Sequence, residues 1–188
     1  MSTQEKVNIS AQVTPNPNTL KFVVDRPIVK EGTFNFTSYE KSKGSFLPEQ
    51  MFNIHGVVGV MVGSNFVSIT KTVSTDWSNI AEPVTAVIQM AFDSGATLVD
   101  ESAATQHGAS TGDSATAQRI KEILDSEIRP AVAMDGGDIT FHSYEDGVLT
   151  VHMQGACSSC PSSVVTLRMG IENRLREEIP ELKEIVQI

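Results

Sequence analysis

The sequence has few basic residues and no long apolar run, and each absence excludes a class of partner. Its 188 residues include 14 Lys and Arg against 23 Asp and Glu, a formal net charge of -9. A chain of that charge repels nucleic-acid phosphates and anionic lipid unless a basic patch reverses it, and neither half has a basic excess. The longest apolar run, Val57–Val62, is far shorter than the roughly 20 residues of a membrane-spanning helix. We therefore expect no nucleic-acid partner and no membrane partner.

The first dozen residues also lack a targeting pattern. They mix Glu5 and Lys6 with polar side chains, without the apolar core of a signal peptide or the Arg-rich amphipathic pattern of an organelle transit peptide. From this we expect a cytoplasmic protein.

Cysteine is scarce, with only Cys157 and Cys160 in the chain. A disulfide between residues three apart closes too small a loop to stabilise a fold, so we expect these cysteines to serve chemistry.

The length of the chain fits either one large domain or two small ones, and a segment without large apolar side chains favours two. Residues 101–117 contain no Leu, Ile, Val, Met or aromatic residue, so they cannot bury enough surface to offset the entropy of ordering. We predict a first domain at residues 14–98, a flexible linker at 99–115 and a second domain at 116–188.

The first domain reads as mixed α/β. Residues 20–24, 57–62 and 66–70 have the composition of strands, and the last two form a hairpin signal. Apolar residues from Trp77 onward recur at helical spacing, with Pro83 expected to bend that helix or to start its main body. The domain has no cysteine and no phosphate-loop pattern, so nothing in it indicates chemistry.

The second domain is predicted to fold in the order α-β-β-α-β. Residues 120–132 have helical spacing, and Pro130 is expected to close or bend that helix. Two alternating strands follow around residues 145–147. A long helix over residues 161–179 and a short strand at 184–188 complete the domain. The fold class is therefore α/β (α+β), with two small mixed domains.

The register of the predicted hairpin depends on its turn. A two-residue loop would set Phe141 beside His152 and mix the apolar and polar faces. A three-residue loop pairs Tyr144 with Val148 and Phe141 with Val151, so we predict that register.

The predicted register has two consequences for side-chain positions. It places His142 and His152 on the outer face of the hairpin with Tyr144, which we interpret as a solvated face rather than a metal site. It also brings the double glycine of residues 135–138 beside residues 154–157.

The Cys157-Ser158-Ser159-Cys160 segment directly precedes the long helix, which Pro161 begins. Free N–H groups and the positive end of the helix dipole favour thiolate over thiol there, so we expect reactive thiols in an exposed loop. The pattern is shared by redox disulfides, zinc sites and iron–sulfur sites. Metal sites usually need four ligands, and one chain offers two thiolates without a convincing third ligand, whereas two chains would offer four.

Four segments of the second domain form a specific combined pattern: Met134-Asp135-Gly136-Gly137-Asp138-Ile139, Gln154-Gly155-Ala156-Cys157, Cys160-Pro161-Ser162-Ser163 and Met169-Gly170-Ile171-Glu172. This pattern resembles the C-terminal domain of the NifU-like (Nfu-type) iron–sulfur scaffold and carrier family. Residues 14–98 resemble the N-terminal domain found with it, through residues 14–18, Gly63-Ser64 and the Trp77 helix.

The resemblance implies an iron–sulfur cluster, most often 4Fe–4S, held between two protomers of a homodimer by Cys157 and Cys160 of each. It implies receipt of the cluster from upstream donors and transfer to apo-proteins by ligand exchange, with no enzymatic turnover. Ser159 departs from the glycine that is common in the family, and we expect its Cβ to affect cluster access or lability rather than ligation.

Two alternative functions use the same cysteines. A thiol–disulfide oxidoreductase would use Cys157 as nucleophile and Cys160 as resolving thiol, although the usual strand-helix-strand context is missing. A structural zinc module shared by two chains would be colourless, whereas an iron–sulfur protein is coloured.

Overall fold

The computed structural model describes residues 6–100, 114–158 and 161–188. The chain divides into two compact units, Met1–Thr105 and Gln106–Ile188, and each is described by itself. Most of the predicted linker, residues 101–113, lies outside the described residues. Within the described ranges, no helix is both long enough and apolar enough to cross a membrane.

The first unit contains a five-stranded antiparallel sheet in the order β1-β2-β5-β4-β3. The three strands predicted from sequence are confirmed, and two short strands, β1 and β3, were not predicted. The strands are β1 (Ile9–Val13), β2 (Thr19–Val24), β3 (Phe34–Phe36), β4 (Val57–Val62) and β5 (Phe66–Lys71).

The helices of the first unit are α1 (Tyr39–Ser42), α2 (Phe46–Phe52) and α3 (Ala81–Ser94), with a 3-10 turn over Trp77–Asn79. Pro83 lies in the first turn of α3, where its missing N–H leaves no helical hydrogen bond unmade, so it starts the helix instead of breaking it. The core is formed by the sheet together with fully buried residues of two helices, Leu47 and Met51 of α2 and Val84, Ile88 and Ala91 of α3.

The first unit continues past the predicted boundary at residue 98. Val99 is buried in its core, and the Leu47 N–H donates to the Leu98 carbonyl at 2.9 Å. The Asp100 N–H donates to Ser45 Oγ at 2.8 Å. These contacts fix residues 98–100 on the first unit.

The second unit has the predicted order of helices and strands, which confirms the mixed α/β class. Its elements are α4 (Ala115–Ile123), a π-helical turn (Leu124–Ile128), α5 (Arg129–Met134), β6 (Gly137–Glu145), β7 (Val148–Gly155), α6 (Pro161–Glu178) and β8 (Glu184–Gln187). Strands β6 and β7 are antiparallel, and β8 pairs with β7 in parallel.

Pro130 does not close the first helical segment of this unit. The π-turn Leu124–Ile128 widens the helix just before Pro130, which then occupies the first turn of α5. The missing N–H of Pro130 is least costly at a helix start, so the helical path continues to Met134 with Ile128 and Val132 buried.

The turn of the β6–β7 hairpin differs from the prediction. Asp146 (φ 51°) and Gly147 (φ 86°) form a two-residue turn, which pairs Glu145 with Val148. Both central residues have the positive φ that such a tight turn requires. The predicted three-residue loop, with Tyr144 opposite Val148, is therefore wrong.

A β-bulge at His142 restores the predicted register further along the hairpin. Phe141 pairs with Val151 as predicted, Ser143 pairs with Thr150, and His142 is the extra residue between them. The bulge keeps both ends of β6 in phase with the core, so Tyr144 packs against the apolar core and not on the outer face.

Helix α6 covers the core of the second unit with the apolar residues predicted from its spacing. Ile171, Leu175 and Ile179 are buried, and Leu167 is partly buried. The side chain of Val164 is outside the described part. The helix ends before Pro180, and the chain returns to the sheet as β8.

Candidate thiol site

The double glycine lies beside the first cysteine, as the sequence predicts. Gly137 of β6 pairs with Gly155 of β7, and the Ala156 N–H donates to the Gly136 carbonyl at 3.1 Å. Gly136 (φ 75°) and Gly155 (φ 64°) both adopt the left-handed conformation that favours glycine. Backbone pairing between the start of β6 and the end of β7 therefore continues to the residue just before Cys157.

Gly137 also leaves the space that the Cys157 side chain fills. A Cβ built at residue 137 would overlap Cys157 Sγ, and it would lie 3.1 Å from Cys157 Cβ and 3.0 Å from the Gln154 carbonyl oxygen. No side chain larger than hydrogen fits without moving the thiol or the backbone.

Cys157 is buried, with 5% of its surface exposed, and it belongs to the apolar core of the second unit. The following residue closes a turn over it, because the Ser158 N–H and Oγ both donate to the Gly155 carbonyl, at 3.2 Å and 2.9 Å. The expectation of an exposed thiol is therefore wrong for Cys157. Cys160 and Ser159 lie outside the described residues.

Burial, and to a smaller degree the negative charges of Asp135 and Asp138, together raise the pKa of the Cys157 thiol to about 12. The sequence predicts the opposite direction, from the dipole of α6. Burial removes water from around the thiolate, and the two neighbouring carboxylates repel its negative charge, so both effects favour the neutral thiol. The resting side chain is a neutral thiol at neutral pH.

An ion pair between half-buried Arg129 and buried Asp138 lies at the start of the strand beside this thiol. Arg129 donates from Nε to Asp138 Oδ1 at 2.9 Å and from Nη2 to Oδ2 at 3.1 Å. Asp138 is almost fully buried and also accepts the Ile139 N–H at 2.8 Å. The bond to Asp138 is the main reason that the pKa of Arg129 is raised. Sequence reasoning treated Asp138 only as part of a turn and missed Arg129, which is nine residues earlier.

The two histidines of the hairpin lie together, with ring centroids 5.1 Å apart and ring planes at 84°. Both residues are half-buried. The sequence places them on one face, and the two rings pack edge to face there. Over the described ranges, no group of three or more His, Cys, Asp or Glu side chains is arranged to hold a metal ion.

Comparison with known proteins decides the family. A family model described as "NifU-like domain" matches residues 120–186, and one described as "Scaffold protein Nfu/NifU N terminal" matches residues 9–95. The human protein named "NFU1 iron-sulfur cluster scaffold homolog, mitochondrial" is 39% identical over 96% of this chain and 71% of its own length. The chain belongs to the Nfu/NifU scaffold family.

Other similar proteins match different shares of the chain. The Drosophila persimilis protein of the same name is 43% identical over 96% of this chain, and the chain spans 64% of that relative's length. The solution structure of a NifU-like protein from Saccharomyces cerevisiae is 24% identical, with a TM-score of 0.46, and it covers 54% of this chain and 91% of its own. Family membership rests on the sequence relatives.

The prediction of a cytoplasmic location is wrong. The human and Drosophila relatives of this Nfu chain are both named as mitochondrial proteins. The prediction used only the lack of a targeting pattern in the first dozen residues, and that absence does not fix a location.

Proposed function

We propose that this Nfu protein is an iron–sulfur cluster scaffold and carrier that holds a cluster through the thiolates of Cys157 and Cys160 and transfers it to apo-proteins. The observation that carries the proposal is the fit of Cys157 against Gly137, at the point where β6 and β7 meet before α6. The Cys157 sulfur fills the space that is left because Gly137 has no side chain. The names of the human and Drosophila relatives agree with this role.

The number of sulfur ligands supports a cluster shared by two copies. One chain contains two cysteines, and a 4Fe–4S cluster uses four thiolates. Two protomers supply four, so the loaded form is a homodimer with one cluster. No histidine ligand is needed in this arrangement.

The raised pKa of Cys157 suits a carrier better than a permanent holder of the cluster. A thiol must lose its proton to bind iron, so loading releases a proton from Cys157. After transfer, burial and the carboxylates of Asp135 and Asp138 favour return of that proton. The neutral, buried thiol stabilises the empty protein and thereby favours release of the cluster to an acceptor.

The same pKa argues against the oxidoreductase alternative. A nucleophilic cysteine works as a thiolate, and a thiol with a pKa near 12 supplies almost none at neutral pH. We therefore assign no enzymatic turnover to the site. The partners are apo iron–sulfur proteins and the donors that supply the cluster.

Anaerobic reconstitution with iron and sulfide tests this function. The full chain should become coloured, contain equal iron and sulfide, show the Mössbauer spectrum of a 4Fe–4S cluster and transfer it to an apo-acceptor. Cys157→Ser and Cys160→Ser should each lose the cluster, with circular dichroism as the control for folding. His142→Ala and His152→Ala should keep it. Full loading and transfer by either cysteine variant would contradict the proposal, and a colourless zinc protein would favour the structural alternative.

A further inference from the structure

Strand β1 forms one edge of the five-stranded sheet, and within the described ranges it pairs with β2 alone. Natural proteins usually protect such an edge with a charged residue, a proline or a β-bulge. The strand Ile9–Val13 contains no charged residue and no proline, and its pairing with β2 has no register shift. The edge is therefore suited to pairing with another strand.

The hydrogen bonds of the neighbouring strand show which backbone groups of β1 point outward. The Val24 N–H donates to the Asn65 carbonyl at 2.9 Å, on the side of β2 that faces β5 and not β1. Ile9 lies opposite Val24, so these two residues exchange no hydrogen bonds. Bonded and non-bonded pairs alternate along an antiparallel ladder, so the N–H and C=O groups of Ile9, Ala11 and Val13 all point away from β2.

A second copy of β1 is complementary to this edge. In an antiparallel pair centred on Ala11, Ile9 lies opposite Val13 of the second copy, and the two Ala11 residues lie opposite each other. All three of these facing pairs use the outward-pointing backbone groups, and each pair exchanges two hydrogen bonds. On the other face, Ser10 lies opposite Gln12 of the second copy. Apolar side chains therefore face apolar ones, polar face polar, and no like charges meet.

The side chains at the two ends of β1 also fit this pairing. Val13 is on the same face of β1 as Ile9, which packs against the core, yet 87% of the Val13 surface is exposed. A groove beside the start of β1 is lined by Val7 and Ile9, by Ala86 of α3 and by Glu82. The pairing places Val13 of each copy beside Ile9 of the other, so each exposed valine covers the groove of the opposite copy.

We infer that the first unit pairs with a second copy of itself through β1, with a two-fold axis at Ala11, so that two five-stranded sheets become continuous. The contact is isologous, because the same strand supplies both sides. One short strand per chain buries less than the roughly 1,200 Å² of a stable interface, so the pairing is weak and the cluster-free chain is mainly monomeric when dilute. The pairing uses neither Cys157 nor Cys160, so it does not depend on the proposed carrier function.

Sedimentation equilibrium of the cluster-free full chain, with a chelator and a reductant present, tests the pairing. Between about 10 µM and about 1 mM, the average mass should rise from near 20.3 kDa toward twice that value. Val13→Asp should weaken association about tenfold or more, because it places a carboxylate at the groove that Glu82 of the second copy lines.

Val73→Asp is the matched control for that substitution. Val73 is also in the first unit and 84% exposed, but it lies outside β1, so this variant should associate like the wild-type chain. A wild-type chain that stays monomeric at the highest concentration, or equal association of the two variants, would overturn the inference.

Amide hydrogen exchange identifies the strand that pairs. At the higher concentration, the amides of Ile9, Ala11 and Val13 should exchange more slowly, because they donate to the second copy. The amides of Ser10 and Gln12 point toward β2 and should change little. Self-association without this alternating protection would mean that another surface mediates it, and it would also overturn the inference.

Discussion

Cys157 Sγ occupies the space that a Cβ at Gly137 would need. The two residues are 20 positions apart in sequence and are brought together because Gly137 pairs with Gly155, two residues before the cysteine. Cys157 can pack in the core only because residue 137, at the start of β6, has no side chain.

Gly137→Ala should destabilise the second unit by about 1–3 kcal/mol, because the new Cβ displaces a packed sulfur and meets backbone on its other side. The same change should lower the iron content after reconstitution. Urea denaturation followed by circular dichroism gives the first result, and iron analysis gives the second.

Gly170→Ala is the matched control for that substitution. Gly170 lies inside α6, and a Cβ there would meet nothing within 4 Å. Alanine should therefore stabilise the helix by about 0.5–1 kcal/mol without changing iron content. If both alanine variants have the same free energy of unfolding, Gly137 is not needed to make room for the Cys157 side chain.

Arg129→Ala should cost about 2–4 kcal/mol, because it leaves the carboxylate of Asp138 buried without its bidentate partner. Arg174→Ala removes a comparable bidentate pair of hydrogen bonds to Glu127 on the exposed surface. It should lower the free energy of unfolding by less than about 1 kcal/mol. Chemical denaturation of the two variants provides the comparison. If both variants lose the same free energy of unfolding, the burial of Asp138 does not explain the cost of removing Arg129.

The Cys157 thiol should react slowly in the folded protein. In the Cys160→Ser variant, alkylation by iodoacetamide at mildly alkaline pH should be about 100-fold or more slower than in urea, where the thiol is hydrated. Mass spectrometry over a time course measures both rates. Similar rates in the folded and unfolded chain would mean that the thiol is exposed.

The same thiol makes stability depend on pH in a defined range. Its pKa is raised from an ordinary 9.0 to about 12 in the folded state. Below pH 9 both states carry the neutral thiol, so stability is unaffected. Between pH 9 and 12 the unfolded chain ionises first, so the free energy of unfolding falls as pH rises. Cys157→Ala should remove this part of the decline.

Much of the fold could be predicted from local patterns. Helical spacing located α6, alternation located β6 and β7, and the double glycine was placed beside the cysteine because a hairpin joins its two ends. These predictions required only neighbouring residues along one strand or one helix face.

The errors concern features that depend on the packed state. The tight turn at Asp146-Gly147 shifts the strand pairing by one residue, and the bulge at His142 shifts it back. Phe141 therefore pairs with Val151 as predicted, although the predicted turn is wrong. The packing of Cys157 depends on Gly137, and its raised pKa depends on burial and on Asp135 and Asp138, all of which lie far from it in sequence. Helix-dipole reasoning from one segment could not include that loss of hydration.

The measurement that tests the central claim most directly is the mass in solution of the anaerobically reconstituted full chain, with iron and sulfide determined on the same fractions. Light scattering after size-exclusion chromatography should give twice the 20.3 kDa chain mass for the coloured species. Iron and sulfide should correspond to one 4Fe–4S cluster per two chains, and the cluster-free protein should be mainly monomeric. A complete cluster on a species of one chain mass would contradict a site built from Cys157 and Cys160 of two protomers.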